Sequence, residues 1–220
     1  MTNRFEAIAD TRPDDKPWPE TVWPIDPGTQ LVGDVVELAL VDPAADVAEL
    51  FDVLDHDRVW AHMAGRPRSP EEYAAQLERG RGSRLPWVVR LREPVGGLPA
   101  GSVVGTSSYL EVSVHDARLE IGSTAYTPAV WGSAVNPEAK LLLLEHAFEE
   151  LKVGRVQLKT DVRNTRSQQA IARLGAAYEG TLRRYQRRAD GSVRDTVLFS
   201  VTAEEWPRVR EGLQCRLKSR

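Results

Sequence analysis

From Gly33 to Val41 the chain, with Val35, Val36, Leu38, Leu40 and Val41 apolar, reads as a first strand. Pro43 then opens a helical stretch that puts Leu50, Phe51 and Leu54 on one face, and Ser69-Pro70-Glu71-Glu72 starts another that runs to Arg79 before Gly80. Leu85 to Leu91, Ser102 to Leu110 and Ala117 to Tyr126 read as three strands, the first two joined by the turn-rich EPVGGLPAG, and predict an antiparallel meander. Asn136-Pro137-Glu138 caps a helix in which Leu141, Leu144, Phe148 and Leu151 share a face. Gly154 ends it. VQLKTDV is a further strand; Asn164 begins a short helix with Ala170, Ile171 and Leu174 on one side, stopped by Gly175. Tyr178 to Arg187 and Val193 to Val201 flank Asp190-Gly191 as a hairpin, and an amphipathic piece from Ala203 to Leu217 follows. The order β-αα-βββ-α-β-α-ββ predicts a mixed α/β fold with a mostly antiparallel sheet.

Length and composition narrow this picture. A chain of 220 residues suffices for one sizeable core, taken to span residues 31–220. Residues 1–30 carry five prolines around Trp18 and Trp23, which resists regular structure and predicts an irregular arm packed on the body or on a partner subunit. No apolar run approaches the length of a membrane span, and the N-terminus lacks the pattern of a secretory signal, so a cytoplasmic location is expected. A net charge of −3 with interspersed signs gives no global field for nucleic acid, and the single Cys215 has no partner for an internal disulfide. The four histidines show no metal-ligand spacing, so no metal is expected.

Two segments carry candidate chemistry. In AVWGSAVNPEAK a glycine and small residues precede the long helix, leaving backbone N–H groups free beside its positive end, a local arrangement that suits phosphate. The same pattern also describes a plain turn entering a helix. In DVRNTRSQQAIARLGAAYEG, Asn164 caps a helix and Ser167 lies at its third position, which capping alone would explain. Taken together, the two helix starts stand at the C-terminal ends of neighbouring strands, where open α/β sheets bind ligands.

The order of elements, the Gly132-Ser133-Ala134 loop and the run Asn164, Ser167, Ala172-Arg173-Leu174-Gly175-Ala176, Tyr178-Glu179-Gly180 resemble the GNAT acetyltransferases, specifically the RimJ/RimL-type subgroup. The resemblance covers residues 33 to 201 and implies an acetyl-CoA cleft at a strand splay. It implies that the backbone of Trp131, Gly132, Ser133, Ala134, Val135 and Asn136 holds the pyrophosphate, with Asn164 on the pantetheine arm and Ser167 near the sulfur. The family's long cation or amide falls at Ala129, so a basic side chain from elsewhere, such as Arg163 or Arg166, is expected to help. The backbone of Ser123, Thr124, Ala125 and Tyr126 is implied to receive the thioester carbonyl.

Acyl transfer to an amine needs a base, an oxyanion site and an acid. Glu120 shares a strand side with Gly122 and Thr124 and is, by the resemblance, the general base; a solvated strand glutamate would show the same spacing. Ser167 is the candidate acid, since Ile171 stands where relatives place a tyrosine. Tyr109 and Tyr126 are candidate acceptor-pocket residues, although strand tyrosines also serve as packing. Arg184, with Arg183, Arg187, Arg188 and Arg194, forms a basic cluster that would favour an acidic acceptor if it borders the site.

The resulting expectation is acetyl transfer from acetyl-CoA to a primary amine, in RimJ/RimL fashion a protein N-terminal α-amine. A small amine acceptor (antibiotic, amino acid or polyamine) and a noncatalytic acyl-CoA-binding module are the alternatives. The arm and the hairpin are candidates to pair two subunits, and the resemblance implies a homodimer.

Overall fold

The computed structural model describes residues 6–9, 18–63, 65–80 and 84–219. Among the described residues eight strands form one sheet in the order β1-β2-β3-β4-β5-β6-β8-β7. Among these described strands only the β5–β6 pair is parallel; every other neighbour is antiparallel.

The expected strand from Gly33 to Val41 is two strands, β1 (Gln30–Val32) and β2 (Val36–Leu40). A side chain far away in the chain explains the break. Glu138 accepts the backbone N–H groups of Asp34, Val35 and Val36 at 3.0, 2.7 and 2.7 Å, which fixes a turn where a continuous strand would need those donors elsewhere. Helix α1 (Pro43–Leu54) starts at Asp42, whose carboxylate caps Ala44 N. A short helix α2 (Asp57–Trp60), not evident from periodicity, precedes α3 (Pro70–Gly80), where Ser69 Oγ accepts Glu72 N as its sequence predicts.

The meander is β3 (Arg84–Leu91), β4 (Val103–Ser113) and β5 (Arg118–Tyr126). Helix α4 (Val135–Glu145) begins one residue before Asn136, so Asn136 lies inside the first turn and is not its cap. Ser133 Oγ accepts Val135 N and the chain is already helical there. The helix continues as one π-turn, His146–Glu150, before β6 (Arg155–Asp161). Then come α5 (Thr165–Ala172), β7 (Ala177–Arg187), β8 (Val193–Thr202) and α6 (Trp206–Lys218).

The two sheet faces have separate cores. Trp87, Val89, Tyr109, Leu119, Ile121, Val156 and Leu158 pack under Leu143, Leu144 and α6, whereas Val88, Val103 and Ala125 pack with Val47, Leu50 and Leu54 of α1 and with α3. The described part of the N-terminal stretch lies on the body: Trp18 Nε1 donates to the Lys152 carbonyl at 2.7 Å, and Ile25 joins the core.

Candidate active site

Strands β5 and β6 pair only from Arg118↔Arg155 to Glu120↔Gln157. Beyond that rung both continue, β5 to Tyr126 and β6 to Asp161, without pairing, so the sheet opens at its centre. A bulge in β5 sharpens the divergence: Ser108 faces Gly122 but Thr106 faces Ala125, and Ser123 takes a positive φ of 46°. The starts of α4 and α5 follow the ends of these two strands.

At the α4 start, Ala134 precedes the helix with no side-chain cap. Gly132 has φ 79°, and a Cβ built there would meet nothing within 4 Å. Trp131 N, Ser133 N and Val135 N are used locally, by the Pro128 carbonyl, the Val130 carbonyl and Ser133 Oγ. Among the described residues the N–H groups of Gly132, Ala134 and Asn136 donate to no protein atom. This donor set, beside an uncapped helix end with open space over the glycine, fits a phosphate group. Trp131 donates its indole N–H to the Tyr126 carbonyl at 2.9 Å and carries two guanidinium groups on its ring: Arg166 Cζ at 3.5 Å and Arg58 Cζ at 4.8 Å from the centroid. Burial, and then the charge of Arg58, hold the Arg166 guanidinium below its usual range. Neither arginine stands in the loop itself, which is why the sequence pattern around Ala129 misses Arg58 altogether.

At the α5 start, Asn164 Oδ1 accepts Ser167 N at 3.0 Å, the cap expected of it, and Ser167 is half-buried on the first turn.

Glu120 is buried beside the opening, on the sheet side shared with Gly122. Its Oε1 would lie 2.5 Å from a Cβ at Gly122, so the carboxylate covers that glycine. Lys159 Nζ stands 2.8 Å from Glu120 Oε2 and also donates to Glu111 Oε1 at 2.7 Å and Tyr185 Oη at 3.1 Å. Desolvation raises the Glu120 pKa and the Lys159 cation opposes that rise.

A second buried charge was invisible to sequence pattern. Lys140, on α4, donates to Thr124 Oγ1 at 2.6 Å and Ser107 Oγ at 2.8 Å, and those two hydroxyls are themselves 2.8 Å apart. It anchors the helix to the bulged part of β5. Burial lowers its pKa to about 7, against an opposing pull from Glu120. An isolated lysine amid leucines in the sequence reads as a solvated position; only the close approach of Thr124 and Ser107 reveals it.

The tyrosines divide. Tyr109 is fully buried, its hydroxyl donating to the Leu143 carbonyl at 2.7 Å and lying 3.1 Å from His146 Nδ1, and its ring packs edge-on against Trp87. Its contacts pack the core between β4 and α4, the packing use that a strand tyrosine also serves. Tyr126 is buried in the same cluster with a hydroxyl that has no partner among the described residues. Arg184 sits at a positive φ of 53° in a bulge of β7, where its N–H donates to Asp195 Oδ1 at 2.7 Å, and it lines two shallow grooves of about 460 and 360 Å³ on the hairpin. Among the described residues no group of three or more His, Cys, Asp and Glu could hold a metal ion, and no helix is long and apolar enough to cross a membrane.

Residues 37–177 match the family model described as an acetyltransferase (GNAT) domain. The chain belongs to this family. A curated relative, the uncharacterized N-acetyltransferase p20 of Bacillus licheniformis, is 30% identical over 104 residues, which is 47% of this chain and 57% of that protein. The match thus spans a little over half the length of that relative. Among solved structures, a candidate acetyltransferase from T. thermophilus is 37% identical, with a TM-score of 0.76 over 89% of this chain and 100% of that one. RimJ of Mycobacterium smegmatis, solved with CoA-disulfide, shares the fold at 24% identity, with a TM-score of 0.70 over 86% of this chain and 95% of that one. The open, mostly antiparallel sheet with its central splay is the GNAT fold.

Proposed function

We propose that this chain transfers the acetyl group of acetyl-CoA to a primary amine within the opening between β5 and β6. The observation that carries the reading is a buried carboxylate, Glu120, at the rung where pairing of two parallel strands ends, with two helix starts beyond it. The free N–H groups of Gly132, Ala134 and Asn136, backed by Arg166 and Arg58 on Trp131, supply the donors and the positive charge that a pyrophosphate requires. The guanidinium pair takes the part of the cation missing at Ala129.

Bound acetyl-CoA supplies the acetyl group as a thioester, open to attack by a neutral amine. Glu120 removes the proton that an ammonium acceptor must lose; desolvation raises its basicity towards that task while Lys159 keeps it ionised. The β6-facing backbone of Ser123, Thr124 and Ala125, which has no strand partner, faces the cleft where a carbonyl oxygen gains charge. Asn164 and Ser167 stand at the start of α5, which follows β6, and Ser167 Oγ is the candidate proton donor to the departing sulfur. The RimJ/RimL-type acceptor, a protein N-terminal amine, and a small amine are both compatible with this base.

Calorimetric titration with CoA, followed by acetyl transfer to a panel of peptides and small amines, tests the reading. Binding with turnover is expected. Binding without turnover on any amine would leave a noncatalytic acyl-CoA module, and absence of micromolar binding would remove both.

A further inference from the structure

Strand alternation places Arg194 and Thr196 of β8 on the same sheet side as Lys159 and Asp161 of β6, because Thr196 pairs with Asp161 and Leu198 with Lys159. Glu120 lies on that side too, through its contact with Lys159. Arg194 stands two residues before Thr196, the partner of Asp161, and so lies toward the end of β6 that has parted from β5. It therefore borders the acceptor side of the opening.

Its hydrogen bonding sets it apart from the arginines around it. Arg188 clasps Asp161 with two donors, at 2.6 and 2.9 Å; Arg155 reaches Glu179 at 2.5 Å; Arg90 reaches Asp46 at 2.7 Å. Arg84, at the start of β3, donates to Ser108 Oγ at 2.9 Å. The Arg194 side chain makes no hydrogen bond or ion pair with any described residue, and its Nε is buried without an acceptor. Two residues on, Thr196 is fully buried and its hydroxyl also lacks a partner. Two orphaned polar groups at i and i+2 on one strand face, one of them on a half-buried cation, cost stability unless a ligand satisfies them. Burial lowers the Arg194 pKa, and the nearby charges of Asp161 and Glu120 only partly oppose that fall.

We propose that Arg194, with Thr196 beside it, is the subsite for a carboxylate on the amine acceptor, so that the enzyme acetylates amines that carry an acid group. This rests on the transferase reading above. The amine meets Glu120 while the carboxylate accepts from the guanidinium of Arg194. Two sources offer this chemistry: a free amino acid, through its own carboxylate, and a peptide N-terminus with an acidic residue.

The test compares matched acceptors that differ only in that charge. One arm uses peptides beginning Asp or Glu against Asn or Gln; the other uses alanine and β-alanine against their carboxamides. In at least one arm the acid is expected to show about tenfold or greater kcat/KM over its amide, carried mainly by KM. Arg194→Gln should bring that ratio to about two or below, with Arg194→Lys between, because an ammonium keeps the charge without the planar fork. The arm that responds identifies the source. Equal rates for every acid and amide, or a preference that survives Arg194→Gln, overturns the subsite. If CoA binds but no acceptor turns over, the transferase reading fails separately. The subsite is then read by calorimetry with N-acetyl-alanine and N-acetylaspartate against their amides: binding of an acid that Arg194→Gln abolishes supports it, and no difference overturns it.

Discussion

Glu120 Oε2 and Lys159 Nζ lie 2.8 Å apart with side chains only 7% and 6% exposed, so the candidate base is paired with a cation inside the sheet, at the last rung before the splay. A buried carboxylate without that partner would be neutral over much of the physiological range. Glu120→Gln is expected to lower kcat by roughly 10²–10⁴-fold while the CoA dissociation constant stays within about twofold. In the intact protein, activity should rise with pH through a group above the ordinary carboxylate value, because burial raises Glu120. Removing the cation in Lys159→Met disfavours the anion, so the acid limb of the kcat/KM profile should move to higher pH. An unchanged limb would disconnect Glu120 from the rate.

Gly122 is the floor beneath that carboxylate. A Cβ there would stand 2.5 Å from Glu120 Oε1 and 2.8 Å from Leu110 Cδ1. Gly122→Ala should therefore turn Glu120 away and cost about tenfold or more in kcat, with the circular dichroism spectrum preserved. Full activity in this variant would show that the carboxylate need not lie over the strand.

Lys140 should register in stability. Its folded pKa is about 7 against an ordinary 10.5, so between those values the unfolded chain binds the extra proton and stability increases with pH. The slope from this group is at most about 1.4 kcal/mol per pH unit. Denaturant unfolding from pH 7 to 10 should show the rise in the wild type and a flatter curve in Lys140→Met, whose apolar side chain leaves Ser107 and Thr124 bonded to each other. Parallel curves would place the lysine in water.

Arg166 stacks 3.5 Å from the Trp131 ring centroid at the proposed phosphate loop. Arg166→Ala is expected to weaken CoA binding about fivefold to tenfold and to reduce its salt dependence. Calorimetry at two ionic strengths measures both, and unaltered binding would remove this arginine from the cofactor site.

Glu138 joins α4 to the β1–β2 turn by accepting three backbone N–H groups. Glu138→Gln replaces one accepting oxygen with a donor facing donors. The expected loss is about 2 kcal/mol or more, or a fall in Tm of roughly 4–8 °C, by calorimetric melting. A change under about 1 °C would mean that the turn holds itself.

Local rules made much of the chain readable. Pro70 after Ser69, the Asn164 cap, the Asp190-Gly191 turn and the apolar stripe through Leu141 and Leu144 each involve neighbours within a turn or two, so the residues concerned reveal the element. The same rules misplaced the start of α4 at Asn136 because Pro137 and Glu138 suit a first turn under either assignment. They also missed the break between β1 and β2, because the acceptor for those N–H groups stands about a hundred residues away.

The candidate site follows the same division. The sequence by itself determined the order of elements from α3 onward, the Gly132 loop and the Asn164 cap, since these depend on backbone freedom and short-range hydrogen bonds. Only the tertiary structure decided that Lys159 pairs with Glu120, that Lys140 ties α4 to Thr124, that Arg58 and Arg166 meet on Trp131, and that Tyr109 belongs to the core. Charge and burial act through distance in space, and which side chains share a dry interior is fixed by strand register and helix packing, neither of which is written in any local stretch of the chain.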